Sequence, residues 1–254
     1  MDYSVPVKQP NCDVCFEFFD RFIRISSIAR AALAPDTSTQ DNQIWTDARK
    51  IRITSSRANA VPKTERGNPD VFIKSHLQPR FKGNRATQHG ILNEDRAREQ
   101  FQLTSGSIVV ELCGTVVDSD DMWLSASPDG LVGPNATLEI KCHTKKLDSL
   151  IKSGRYDVFQ ISDGQYCLKE NGPNGYFTQV QIALHCTKRE HCSVYIWSEA
   201  MAVVCHVKYN AQFIEKILPR LRKFYFQNLL PRAVEECQNE RLTLCEEYEQ
   251  LCKC

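Results

Sequence analysis

No stretch of this 254-residue chain is apolar for long enough to cross a bilayer. Its first residues, Met1 to Cys15, are polar and lack the pattern of a secretion signal. The two absences exclude a helical membrane protein and predict an intracellular one, with nucleus and cytoplasm both open. Internal repeats and low-complexity tracts are missing too. A large net charge is also absent, because 32 Lys and Arg oppose 31 Asp and Glu and leave +1. Any binding of a polyanion must therefore use a local basic path. What is present is ordinary for a globular protein: 42% hydrophobic and 25% charged residues, and enough length for one substantial domain with appendages.

Positive charge is clustered. Arg49, Lys50, Arg52 and Arg57 form one group, Arg80, Lys82 and Arg85 a second, and Lys145, Lys146, Lys152 and Arg155 a third. Twelve cysteines is a high count, and in an intracellular chain it points to buried thiols or metal ligands before disulfides. Cys12-x-x-Cys15 has no second pair nearby. Cys237, Cys245, Cys252 and Cys254 could complete a zinc site with His185, His191 or His206, although the spacings fit no standard zinc module. Cys142, Cys186 and Cys205 sit in apolar or strand-like contexts and are expected in the core.

Residues 1–40 read as a helical extension, with Phe16, Phe19, Phe22 and Ile23 at helical spacing over Cys15 to Leu33. Pro35 to Gln43 reads as a polar linker. Thr54, Ser55 and Ser56 are candidate helix caps. Residues 62–86 carry three prolines and read as loop with a short helix. Thr87 to Phe101 predicts a helix with Glu94, Ala97, Arg98 and Phe101 on one face. Ile108 to Val117 reads as strand. Met122 to Ser127 and Thr137 to Cys142 are expected to bracket a Pro-Asp turn as adjacent strands. Tyr176 to His185 fits helix and strand equally. Cys192 to Trp197 and Ala202 to Val207 read as a closing strand pair. From Asn210 the pattern is helical and amphipathic, interrupted near Pro219 and Pro231. The segments are thus 1–40, 41–209 and a helical arm, 210–254.

The chemistry concentrates in Ser127-Pro128-Asp129-Gly130-Leu131 and Leu138-Glu139-Ile140-Lys141-Cys142. Strand side chains alternate faces, so Glu139 and Lys141 point together while Ile140 points inward. Pro128 fixes one backbone angle and Gly130 permits an unusual one, which suits a turn or bulge that aims Asp129. Two carboxylates and an ammonium brought together suit a divalent cation and phosphodiester cleavage. A lysine beside metal-bound carboxylates stays protonated, which favours an electrostatic role for Lys141 over that of a base.

These motifs, in this order, resemble the PD-(D/E)xK nuclease superfamily, and with their flanks its YqaJ branch, which includes phage lambda exonuclease. The resemblance runs from about Trp45 to about Trp197. It implies an α/β, restriction-endonuclease-like core, a mixed sheet flanked by helices with helical extensions at both ends. It implies that Asp129, Glu139, Glu94 and the backbone carbonyl of Ile140 hold Mg²⁺ or Mn²⁺, with Lys141 and Gln179 at the attacking water. Gln181 should face elsewhere if its segment is helical, and Tyr176 closes the site. Trp45 to Arg57 resembles an element in which Arg49, Thr54 and Ser56 hold the 5′-phosphate of a DNA end. A guanidinium and hydroxyls at a helix start suit that anion. Lys145 and Lys146 stand in for a basic residue placed a little further on, and His143 occupies a position that is proline in many relatives. The implied activity is a metal-dependent exonuclease acting 5′→3′ on double-stranded DNA ends, in recombination or repair. A trimeric ring and a single-strand annealing protein are implied partners. An endonuclease that ignores ends, or a non-catalytic module retaining the fold, are the alternatives.

Overall fold

The structure, a computed structural model, describes residues 10–64, 66–78, 85–144 and 146–254, with Arg85 and Ala86 described by their backbone alone. The strands are β1 (Ile53–Thr54), β2 (Val110–Glu111), β3 (Val116–Val117), β4 (Leu124–Ala126), β5 (Gly130–Val132), β6 (Ala136–Cys142), β7 (Val158–Gln160), β8 (Tyr166–Leu168), β9 (His191–Trp197) and β10 (Ala202–Lys208). The helices are α1 (Asp13–Phe18), α2 (Ser27–Asp36), α3 (Gln43–Lys50), α4 (Ser55–Ala58), α5 (Pro69–Leu77), α6 (Arg85–Thr104), α7 (Leu147–Lys152), α8 (Tyr176–Thr187), α9 (Ala211–Phe224), α10 (Leu230–Gln238) and α11 (Glu246–Leu251). No described helix is long and apolar enough to cross a membrane.

The chain divides into two compact units. One draws on the described parts of Met1–Arg80, on Cys113–Ser127 and on Asn210–Cys254; the other on the described parts of Phe81–Leu112 and on Pro128–Tyr209. In the first unit β4 pairs in parallel with β1 and antiparallel with β3. Around this small sheet the expected single helix over Cys15 to Leu33 is two. α1 runs into a π-turn, Phe19–Ile23, and the chain then breaks so that Ser26 can cap α2 by accepting from the Ala29 amide at 3.1 Å. α2 continues through Pro35, so the linker expected from Pro35 begins later. α9 also runs through Pro219, and the irregularity falls at a second π-turn, Tyr225–Leu229. Pro231 is the second residue of α10, which directly follows that π-turn.

The second unit carries a mixed sheet of order β2-β5-β6-β9-β10-β8-β7 among the described residues. β6 and β9 are parallel, with Glu139 beside Val194 and Lys141 beside Ile196. α6 covers one face, where Ala97 and Phe101 bury themselves against Leu138, Ile140, Tyr195 and Trp197. Ala97 has no bulk beyond its Cβ, which lets the helix approach closely. α8 packs on β6 and β9 and is buried at Phe177, Thr178 and Val180 through Leu184.

Three strand expectations are corrected. Ile108 to Val117 is not one strand, because β2 pairs with β5 in one sheet and β3 with β4 in the other. Met122 to Ser127 is not the neighbour of Thr137 to Cys142, because β4 belongs to the small sheet and β6 lies between β5 and β9. The pair Cys192 to Trp197 and Ala202 to Val207 does form, but inside the sheet, with β9 at its middle.

Candidate functional site

Glu139 lies mid-strand on β6 and is 3% exposed. Its Oε1 accepts from Lys141 Nζ at 2.5 Å and from Gln179 Nε2, on α8, at 2.5 Å. Two-residue spacing on a strand puts the first donor there, and the inward face of α8 supplies the second. Gln181 faces elsewhere, buried and donating to the Lys208 carbonyl at 2.8 Å. Asp129 sits in the bend before β5, and its Oδ2 accepts from the Ile140 amide at 2.6 Å. The Ile140 side chain is in the core, as alternation requires.

Gly130 does not use the unusual backbone angle that a glycine permits, since its φ is not positive. It is small because Val110 of β2 fills the space a Cβ would need. Glu94, on α6, accepts from Arg98 Nη2 at 2.7 Å, while Arg98 Nε donates to the Asp129 carbonyl at 3.2 Å. Arg98 therefore joins two of the acidic residues, a role its i+4 spacing from Glu94 only half reveals. Asp95 is 89% exposed, yet it accepts from Arg98 Nη1, so the guanidinium that holds Glu94 holds it too.

The three carboxylate groups do not all close to within 4.8 Å, and each is met by an internal donor. They nevertheless sense one another. Burial, then Asp129, pushes both Glu94 and Glu139 up to about 7. Burial alone would lower the Lys141 ammonium, but Glu139 and Asp129 outweigh it and hold it above its ordinary value. Lys141 is thus a fixed positive charge, consistent with the electrostatic role. Hard oxygen donors whose mutual repulsion raises their proton affinity fit a small divalent cation, which would relieve that repulsion.

The expected phosphate element lies within the first unit. Arg49 stacks on Trp45 at 4.2 Å and donates to Ser127 Oγ at 3.0 Å and to Ser56 Oγ at 3.3 Å. Thr54 Oγ1 is 3.2 Å from Ser56 Oγ. Ser127 also accepts from Trp45 Nε1 at 3.2 Å, so this hydroxyl is a member of the group that the sequence reading quoted without a role. The helix behind these hydroxyls, α4, is a single turn, so the expected dipole contribution is small. Arg52 drops out of the basic path, being fully buried. Lys146 is exposed at the start of α7, and Lys145, Arg80 and Lys82 lie outside the described residues.

Cys12 and Cys15 form a disulfide. Among the described residues no cluster with metal-ligand spacing includes a cysteine, so the terminal zinc site is not formed. Cys186 and Cys205 are buried as expected, while Cys142 is only partly so.

A mixed sheet flanked by helices, with a buried acid–lysine pair on one strand, places the molecule among α/β proteins built around an acidic centre. Over residues 44–190 the chain matches the YqaJ-like viral recombinase domain, and it belongs to that family. The alkaline exonuclease LHK-Exo of Laribacter hongkongensis superposes with a TM-score of 0.60 at 22% identity, over 78% of this chain and 97% of that one. The structure of LHK-Exo in complex with dAMP gives 0.59 at the same identity and coverage. These likenesses speak to the fold. Comparison with curated proteins gave no match.

Proposed function

We propose that this chain is a divalent-metal-dependent DNA exonuclease that hydrolyses phosphodiester bonds from duplex ends, 5′→3′, in recombination or repair. The observation that carries the reading is the buried Glu139 carboxylate, gripped by Lys141 and Gln179 within reach of the fields of Asp129 and Glu94. Asp129, Glu139, Glu94 and the Ile140 carbonyl would hold Mg²⁺ or Mn²⁺, which supplies Lewis-acid charge and a more acidic water. Lys141 places a permanent positive charge where negative charge builds on phosphorus. Gln179 holds Glu139 in one rotamer and orients a water with its remaining amide groups. Arg49, Thr54 and Ser56 hold the terminal phosphate, and Lys145 and Lys146 are further basic residues proposed for DNA binding on family resemblance. The division into an extension (1–40), a nuclease core (41–209) and a helical arm (210–254) is part of the proposal, and the family match lies inside its middle segment. So are a ring-shaped trimer and a single-strand annealing partner, both on family resemblance.

The test is digestion of 5′-phosphorylated linear duplex against closed circular DNA, with and without Mg²⁺. Only the linear substrate with Mg²⁺ should disappear; equal loss of the circle would leave an endonuclease. Arg49→Ala should slow digestion from 5′-phosphorylated ends by roughly 10- to 100-fold, the worth of hydrogen bonds to a charged group. Ends lacking the phosphate should respond much less, and an equal response would remove Arg49 from the phosphate pocket.

Stability should report the metal independently of activity. A carboxyl whose folded pKa is raised binds its proton more tightly when folded, so the metal-free protein loses stability as pH rises from the ordinary glutamate range through about 7. Cation binding needs the ionised form and opposes that loss. Saturating Mn²⁺ should therefore raise the melting temperature more at pH 8 than at pH 5. An equal rise at both would mean that Glu94 and Glu139 are not the ligands.

A further inference from the structure

Behind Lys141 lies a chain of groups that an acid–lysine pair does not require. Lys141 Nζ is 5.3 Å from the centroid of the Tyr176 ring, at the start of α8. That ring stands at 89° to Tyr156, with centroids 6.0 Å apart. Burial raises the proton affinity of both hydroxyls, so both rings stand as neutral phenols. The Tyr156 oxygen lies 2.5 Å from His143 Nε2. The imidazole and the phenol thus share one hydrogen bond, which fixes the Tyr156 ring in its plane. The contacts run from His143 to Tyr156 by a hydrogen bond, from Tyr156 to Tyr176 by ring packing, and from the Tyr176 ring to the ammonium.

The neighbouring residue fixes the backbone of the same turn. Asp157 is fully buried. It accepts from the Asn174 amide at 2.9 Å, from Asn174 Nδ2 at 2.7 Å and from the Tyr176 amide at 3.1 Å. The Asp157 carboxylate also fills the space that a Cβ on Gly172 would need. Tyr176 is therefore held twice, its backbone by Asp157 and its ring by Tyr156. A lysine side chain left to itself samples many rotamers, and that freedom opposes any single placement of its ammonium.

We propose that Tyr156 is a positioning residue for Lys141: anchored by His143, it locks the Tyr176 ring against the ammonium and so keeps Lys141 on Glu139. The catalytic consequence rests on the hydrolytic role assigned above to Lys141; the structural one does not.

The test uses Tyr156→Phe, which keeps the ring and removes the hydroxyl, with the pair His143→Leu and His143→Gln. The Gln side chain can still hydrogen-bond to Tyr156, and the Leu side chain cannot. In metal-free, DNA-free protein the Lys141 Cε–Hε NMR signal should shift and broaden in Tyr156→Phe and His143→Leu and return towards wild type in His143→Gln. In digestion assays the first two should lose about 10-fold in kcat with KM unchanged, the worth of one hydrogen bond, and His143→Gln should recover most of it. A Lys141 signal identical to wild type in both folded Tyr156→Phe and His143→Leu overturns the proposal. If Tyr156→Phe does not fold, the His143 pair decides alone, with equal Lys141 signals in Leu and Gln as the overturning result. Wild-type protein that digests nothing would reject the nuclease reading, and the NMR comparison would still decide the positioning role.

Discussion

Lys141→Ala should reduce Mg²⁺-dependent digestion by roughly 10³-fold, in kcat far more than in KM, because the role proposed for it is to act on charge that exists only in the transition state. The argument begins with burial. Glu139 is 3% exposed and shares its Oε1 with two donors, one of them the ammonium. Remove Lys141 and Gln179 is left as the neutral partner of an acid already pushed up by burial and by Asp129. Glu139 then takes up a proton more readily, which weakens a cation ligand at the same moment that the fixed charge is lost. Both effects lower the rate, and they separate by experiment. Lys141→Gln restores the bulk and a donor without the charge, so it should rescue stability better than activity. Measured by circular dichroism and single-turnover digestion, a folded Lys141→Ala enzyme keeping more than a tenth of the wild-type rate would remove Lys141 from the chemistry.

How much of this could be read from residues alone differs from element to element. α6 was legible because its faces differ: Ala97 and Phe101 are buried while Asp95 is 89% exposed. β6 was legible because its acid and lysine fall two apart. α8 stayed ambiguous between helix and strand because almost every side from Phe177 to Leu184 is buried, leaving no polar face to set the period. The position of β4 was misjudged because its partners are settled by pairing with Ile53 and Thr54, far away along the chain. Pairing across such distances leaves no local trace. Gly130 was assigned to a turn geometry when the constraint was the Val110 side chain from another strand. The acids of the site were visible as a motif; the groups that orient them, Arg98, Tyr156, Asp157 and His143, meet only once the sheet has formed.

The other large effect concerns Arg52, which the charge pattern put on a basic surface and the fold puts at the centre of the first unit. Its guanidinium is fully buried and faces carbonyls instead of a carboxylate. Nε donates to Met122 O at 2.8 Å, Nη1 to Ala48 O at 2.9 Å and to the Tyr248 hydroxyl at 2.6 Å, and Nη2 to Ile23 O at 3.0 Å. Tyr248 in turn donates to Phe22 O at 2.9 Å. Ala48 lies near the end of α3 and Ile23 ends the first π-turn, so the cation meets carbonyls that the helices cannot satisfy themselves. One planar fork thereby ties the first helices, α3, the residue before Trp123 and the last helix together. A lysine offers three donors from one point and cannot span these carbonyls. Arg52→Lys should therefore cost about 3 kcal/mol, through acceptors left buried without a donor. For a chain of this length that corresponds to a fall in melting temperature of roughly 6–12 °C. Arg52→Met removes the charge but strands the same carbonyls, so it should fare no better than Lys in urea unfolding. If Arg52→Met matched wild type, the carbonyls would have other donors and the fork would not be what joins the two ends of the chain. Because α3 carries Arg49, the proposed function predicts that a loosened Arg52 variant loses preference for 5′-phosphorylated ends before it loses Mg²⁺-dependent cleavage, whose proposed residues lie in the other unit.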